Sequence, residues 1–150
     1  MPLIGRDKVD KAIIDTVITT NDNLKGVYFA GLANIINGTP ADTGRARNNW
    51  FLSVGTPSNS TTTSKNRAGS SSIRQLSKMP DYVLGKKILY TNNMPYIGTL
   101  EYGGFPSPVK LGSWIDGKYQ KLSEGGFSKQ APNGWVRSTL IAMKNKIGKL

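Results

Sequence analysis

The sequence has no cysteine and no histidine among its 150 residues. The first absence excludes disulfides, thiolate nucleophiles and sulfur-based zinc sites. The second removes the side chain most often used for proton transfer near neutral pH. Together they exclude Ser-His-Asp and Cys-His catalytic arrangements. Long apolar runs are also missing, so no membrane-spanning helix is expected. Met1 to Arg6 lacks a basic start followed by an apolar stretch, so no secretory signal is expected. The glycosylation-like triplets Asn37-Gly38-Thr39 and Asn59-Ser60-Thr61 therefore read as chance matches. Neither a G-x-x-x-x-G-K-[ST] loop nor a G-x-G-x-x-G turn occurs. Asp7, Asp10 and Asp15 lack metal-loop spacing and read as a solvated face near a helix N-terminus. No cofactor or metal is expected.

Acids are scarce: nine against 20 lysines and arginines, for a net charge of +11. The excess is uneven. Residues 1–60 hold six bases and five acids, whereas residues 61–150 hold fourteen bases and four acids. A polyanionic neighbour, DNA or an acidic protein surface, fits this pattern. A well-solvated basic surface fits it equally.

The apolar positions predict an α+β fold in one domain spanning residues 1–150. Ile13, Ile14, Val17, Leu24, Val27, Tyr28, Leu32, Ile35 and Ile36 predict a helix over 7–37. Polar Thr19 to Asn23 predict a bend in it. Asn37-Gly38 and Pro40 predict its end, with Gly38 at positive φ. Asp42 is expected to cap the N–H groups of Gly44 to Arg47. Trp50, Leu52 and Val54 alternate with Phe51 and Ser53, a strand ended by Gly55. Residues 56–72, rich in serine and threonine, predict a loop that is mobile in isolation and orders in an assembly. A short helix follows over Ser71 to Leu84, with Ile73 and Leu76 inward and Pro80 interrupting it. Lys86 to Thr91 reads as a second strand, and Tyr96 to Glu101 as one or two helical turns ended by Gly103-Gly104. Residues 105–127 predict an irregular loop or hairpin. A final helix begins at Pro132, with Trp135, Val136, Leu140, Met143 and Ile147 as its apolar stripe.

Asp42-Thr43-Gly44 matches the tripeptide of homodimeric aspartic proteases, whose chemistry needs two carboxylates sharing a proton. It follows Thr39-Pro40-Ala41 instead of an apolar strand, and Arg45 and Arg47 stand beside it to keep Asp42 ionised. The capping role is favoured. Aromatics interleaved with bases in the second half offer stacking on single-stranded nucleic acid. Placing Trp50, Trp114 and Trp135 in a core or interface is favoured over that.

Four segments taken in order resemble the tail-completion and tail-terminator family of long-tailed bacteriophages. They are Thr39-Pro40-Ala41-Asp42-Thr43-Gly44-Arg45-Ala46-Arg47-Asn48-Asn49-Trp50, Ile88 through Tyr96, Leu100-Glu101-Tyr102-Gly103-Gly104, and Ser128-Lys129-Gln130-Ala131-Pro132 through Trp135-Val136-Arg137. The resemblance implies a small twisted sheet packed by the first and last helices. It also implies a virion structural protein, not an enzyme, forming a homo-oligomeric ring, six-fold by analogy. The ring would sit between a portal-side connector and the tail tube and leave a channel for DNA. On this resemblance Asp42, Gly44, Arg45, Arg47, Trp50, Tyr96, Glu101, Tyr102, Gly103, Lys129, Gln130, Trp135 and Arg137 are interface or fold-motif residues. Glu101 and Arg137 are expected to pair, within a subunit or between subunits, with Arg45 and Arg47 as alternative cations beside Asp42. Tyr96, Tyr102 and Trp135 are expected to be packing anchors. Most basic residues are expected to face outward or to meet acidic neighbours, since a lumen lined with them would hold DNA instead of passing it.

Overall fold

A computed structural model describes residues 5–104, 112–121, 123–124 and 126–150. The first four residues, considered above for a signal, and residues 105–111 of the expected loop lie outside the described residues.

Helix α1 runs unbroken from Arg6 to Gly38. At 1.5 Å per residue it is about 50 Å long. The bend expected at Thr19 to Asn23 is absent, because Asn21 is used there instead. Its side chain is buried, donates from Nδ2 to the Asp81 carbonyl at 2.8 Å and accepts from the Val83 amide at 2.7 Å. A residue with low helix propensity is retained because it ties the segment after Pro80 to α1. The helix end also differs from expectation. Gly38 is absent from the positive-φ glycines, and a Cβ there would lie 2.8 Å from Trp135 Cδ1. Close approach of an indole, and not a left-handed turn, requires the glycine.

The last turn of α1 is closed by Thr39, whose Oγ1 donates to the Ile35 carbonyl at 2.7 Å and accepts from Trp50 Nε1 at 2.9 Å. Trp50 begins strand β1 (Trp50–Val54), which pairs antiparallel with β2 (Ile88–Asn92). Trp50 stacks on Tyr90 at 5.1 Å and 7°, and burial pushes the Tyr90 phenol pKa up. Trp50 and Leu52 are buried while Val54, at the strand end, is exposed.

Between the strands lies α2 (Ser70–Gln75), followed by a short 3-10 turn, Leu76–Lys78. Leu76, Met79 and Val83 point inward, but Ile73 is exposed, contrary to expectation. The inward position on that turn is taken by Ser72, which accepts from the Trp50 amide at 2.9 Å.

The Ser/Thr-rich segment is held in place by asparagines. Asn49 accepts from the Thr62 amide at 2.7 Å and donates to the Thr62 carbonyl at 3.0 Å. Asn93 donates to the carbonyls of Ser58 and Ser60, both at 2.9 Å. Asn48 donates to the carbonyls of Gly44 and Asn66 and accepts from the Ser71 amide. A segment with little apolar area is thus ordered through its backbone by side-chain amides outside it, two of them, Asn48 and Asn49, buried.

Helix α3 (Ile97–Tyr102) precedes a hairpin of β3 (Gly112–Ile115) and β4 (Lys118–Lys121), then a second small pair, β5 (Ser123–Glu124) with β6 (Phe127–Ser128). Helix α4 (Val136–Ile147) begins four residues later than the expected start at Pro132. It packs against α1: Trp135 Nε1 donates to the Ile35 carbonyl at 3.0 Å, and Met143 fills the space that a Cβ at Gly31 would need. Its expected stripe is covered only in part, since Leu140 and Ile147 are exposed, as is Ile141 beside it. The core lies where the C-terminal half of α1 meets β1, the 3-10 turn, α3 and Trp135. Ile36, fully buried there, contributes about 1.5–3 kcal/mol.

Candidate functional site

The quoted segments meet at one junction, where the end of α1, α3 and the start of α4 come together. Helix α4 has no side-chain cap of its own, so its first amides need an acceptor. Glu101 supplies it from α3. One carboxylate oxygen accepts from the amides of Trp135 at 2.7 Å and Val136 at 2.9 Å. The other accepts from the Arg137 amide at 2.9 Å and from Arg137 Nε at 3.0 Å. The guanidinium also reaches the Glu101 carbonyl at 3.2 Å and lies 4.7 Å above the Tyr102 ring. Burial alone would raise the Glu101 pKa; the three amides and the guanidinium outweigh it and hold the carboxyl below its ordinary value. Negative charge at a helix N-terminus is favourable. The Glu101–Arg137 pair is therefore intra-subunit, one of the two alternatives left open by the sequence.

Arg47 does comparable work at the other helix. Its Nε donates to the Thr39 carbonyl at 3.0 Å, one terminal nitrogen to Asn37 at 3.0 Å and the other to Arg67 at 2.7 Å. Partial burial lowers its pKa. It joins the C-terminus of α1 to the Ser/Thr-rich segment and makes no ion pair with Asp42. The expected cap by Asp42 is not formed: the Arg45 amide donates instead to Thr43 Oγ1, at 3.4 Å. Asp42 is exposed in a bend, not at the end of a strand.

A cleft of about 340 Å³ opens beside this junction. Asp42, Gly44, Arg45, Tyr96, Lys129 and Gln130, all singled out from sequence, line it. Gln130 Oε1 accepts from the Ala41 amide at 2.7 Å, which fixes the segment after β6 against the turn after α1. Gly44 has φ +82, and a Cβ there would press on the Asn66 backbone, so glycine is required. The described lining carries one carboxylate, Asp42, and two cations, Arg45 and Lys129. Among the described residues no group of three or more acids lies close enough to hold a metal.

Trp50 and Trp135 are buried, as expected, but Trp114 is exposed on the β3–β4 hairpin, in edge contact with Tyr119 at 5.8 Å. Tyr102 is not a buried anchor either; it is exposed beneath Arg137. Gly103 has φ +95 and faces the Phe127 ring. Sequence reasoning missed Asn21, Asn48, Asn49 and Ser72, all buried. The one available signal was the Asn48-Asn49 pair directly before an apolar strand.

The class defined by fold and site is an α+β protein, with a long N-terminal helix packed on a C-terminal helix and a small antiparallel sheet, centred on a carboxylate-capped helix junction. Comparison with protein-family models, with curated proteins and with solved structures finds no match for this chain.

Proposed function

We propose that the chain is a ring-forming virion structural protein of the head-to-tail neck of a tailed bacteriophage, acting as tail terminator or tail-completion protein. The observation that carries this reading is the convergence of the quoted segments. Gln130 on Ala41, Tyr90 stacked on Trp50, and Glu101 on Trp135 and Arg137 join them into one junction. These side chains are spent on fixing helix ends, with no bond-making chemistry assigned to them. The ring docks a portal-side connector on one side and the tail tube on the other, and DNA passes through its channel without sequence-specific contacts. Imaging purified chain and virion necks by electron microscopy tests this. Rings and a neck location support it; a chain that stays monomeric beside connector and tube proteins refutes it.

A second reading, a basic DNA-binding accessory protein, is favoured by the β3–β4 hairpin. There exposed Trp114 and Tyr119 pair on one face of the hairpin, with exposed Lys121 two residues beyond Tyr119 on the same strand. Stacking on single strands with salt-sensitive phosphate contacts would follow. Binding that is tight at physiological salt and lost on Trp114→Ala supports this reading.

A further inference from the structure

Helix α1 is covered along only part of its length. Its stripe of Leu24, Tyr28, Leu32 and Ile35 packs into the core. At the same helical spacing the stripe continues toward the N-terminus through Val17, Ile13 and Val9, flanked by Ile14 and Ile18. Val9, Ile13, Ile14 and Ile18 are each more than half exposed. Five branched apolar residues on one exposed face of a helix are a docking surface in search of a partner.

Helix α4 carries a second exposed apolar face, Leu140 and Ile141 with Ile147 one to two turns further on. The two faces differ in the sign of their net charge: the α1 face carries Arg6, Asp7 and Asp10, the α4 face Arg137 and Lys144. Asp10 lies one turn before Ile13 and Ile14; Lys144 lies one turn after Leu140 and Ile141 and one turn before Ile147. Asp10 is held only by an exposed contact to Arg6 at 3.8 Å, which costs little to exchange. The surrounding charge is of opposite net sign: residues 6–24 carry four acids and three bases, residues 137–150 four bases and no acid.

The two faces do not meet within one chain. Trp135 packs at Gly38 and Met143 at Gly31, so Leu140 sits beside the C-terminal third of α1. Ile13 lies about 30 Å further along the helix, at 1.5 Å per residue. We infer that the N-terminal half of α1 docks on the α4 face of a second copy of this chain. Repeated in one direction from copy to copy, such a contact between two different surfaces is head-to-tail, the kind that closes into a ring. The inference rests on the ring reading and names the surface that would build the ring.

The absence of native cysteine makes the test direct. Full-length Ile13→Cys and Ile141→Cys chains are mixed under oxidising conditions, and each is also oxidised alone. The expected result is a disulfide-linked heterodimer from the mixture and little from either chain alone. In parallel, Asp10→Lys and Lys144→Glu should each reduce assembly at least tenfold in protein concentration, and the double variant should restore it. Both positions are exposed, so circular dichroism should show unchanged folding. Rings that persist without the mixed disulfide and without response to the charge changes overturn this interface while leaving the ring reading intact. A disulfide formed by Ile13→Cys alone overturns it in favour of symmetric pairing. Capture of the chain on anionic vesicles, lost on Ile13→Asp and without the mixed disulfide, overturns it in favour of a lipid surface. No assembly under any condition removes the ring reading and this inference together.

Discussion

Replacing Glu101 by alanine removes the acceptor for three backbone amides and one guanidinium nitrogen. Loss of a helix cap costs about 1–2 kcal/mol. The Trp135 amide is buried and would be left without an acceptor, which adds about 1–3 kcal/mol. Arg137 is half exposed and can turn to water, so its share stays within about 1 kcal/mol. These effects overlap, and the net loss should be about 2–4 kcal/mol. For a chain of this size that lowers Tm by about 5–15 °C. Thermal unfolding followed by circular dichroism, at pH 7, measures it directly. The pH dependence supplies a second check. The Glu101 pKa is depressed in the folded state, so its stabilisation is fully present above its ordinary value of 4.5 and lost as pH falls through the folded value. Glu101→Gln should remove that component of acid sensitivity and leave the curve between pH 5 and 7 flat for this group. A Glu101→Ala protein that melts within about 1 °C of wild type would refute the capping argument.

Three further outcomes follow from the geometry. Gly134→Ala should destabilise by about 2 kcal/mol or more, since φ is +76 and the added Cβ would collide with the Glu101 carbonyl; denaturant titration reads the loss. Asn49→Ala should free the Thr62 backbone and expose residues 56–66 to protease, with cleavage accelerated there before any change in the rest of the chain. DNA binding by wild-type chain should be weak at physiological salt and fall further as salt rises, as titration with labelled duplex at several ionic strengths would show.

The periodic elements were legible because their signals are local. The two long helices, strand β1 and its partner, and the turn at Gly103 follow from apolar spacing and breakers. The β3–β4 hairpin was one of two readings offered for residues 105–127. What failed depended on contacts distant in sequence. Thr19 to Asn23 looks like a helix break until Asn21 is seen tying down Asp81 and Val83. Gly38 looks like a left-handed cap until the indole of Trp135 is seen against it. Residues 56–72 look unanchored because their anchors, Asn48, Asn49 and Asn93, lie outside them. At the candidate site the residue set was legible but the roles were only half so. Glu101 and Arg137 were paired correctly, yet nothing in their spacing reveals that the carboxylate caps a helix 34 residues further along the chain. Asp42 looks like a cap by residue type, but the turn places Thr43 Oγ1, not its carboxylate, on the Arg45 amide.

The proposal that these side chains serve self-association is tested most directly by the mass of the assembled chain. Sedimentation of the purified, full-length protein over a wide concentration range, with electron images of the same samples, should show closed rings of several 16.3 kDa copies. A single species at monomer mass at every concentration, unchanged when connector and tube proteins are added, would contradict it.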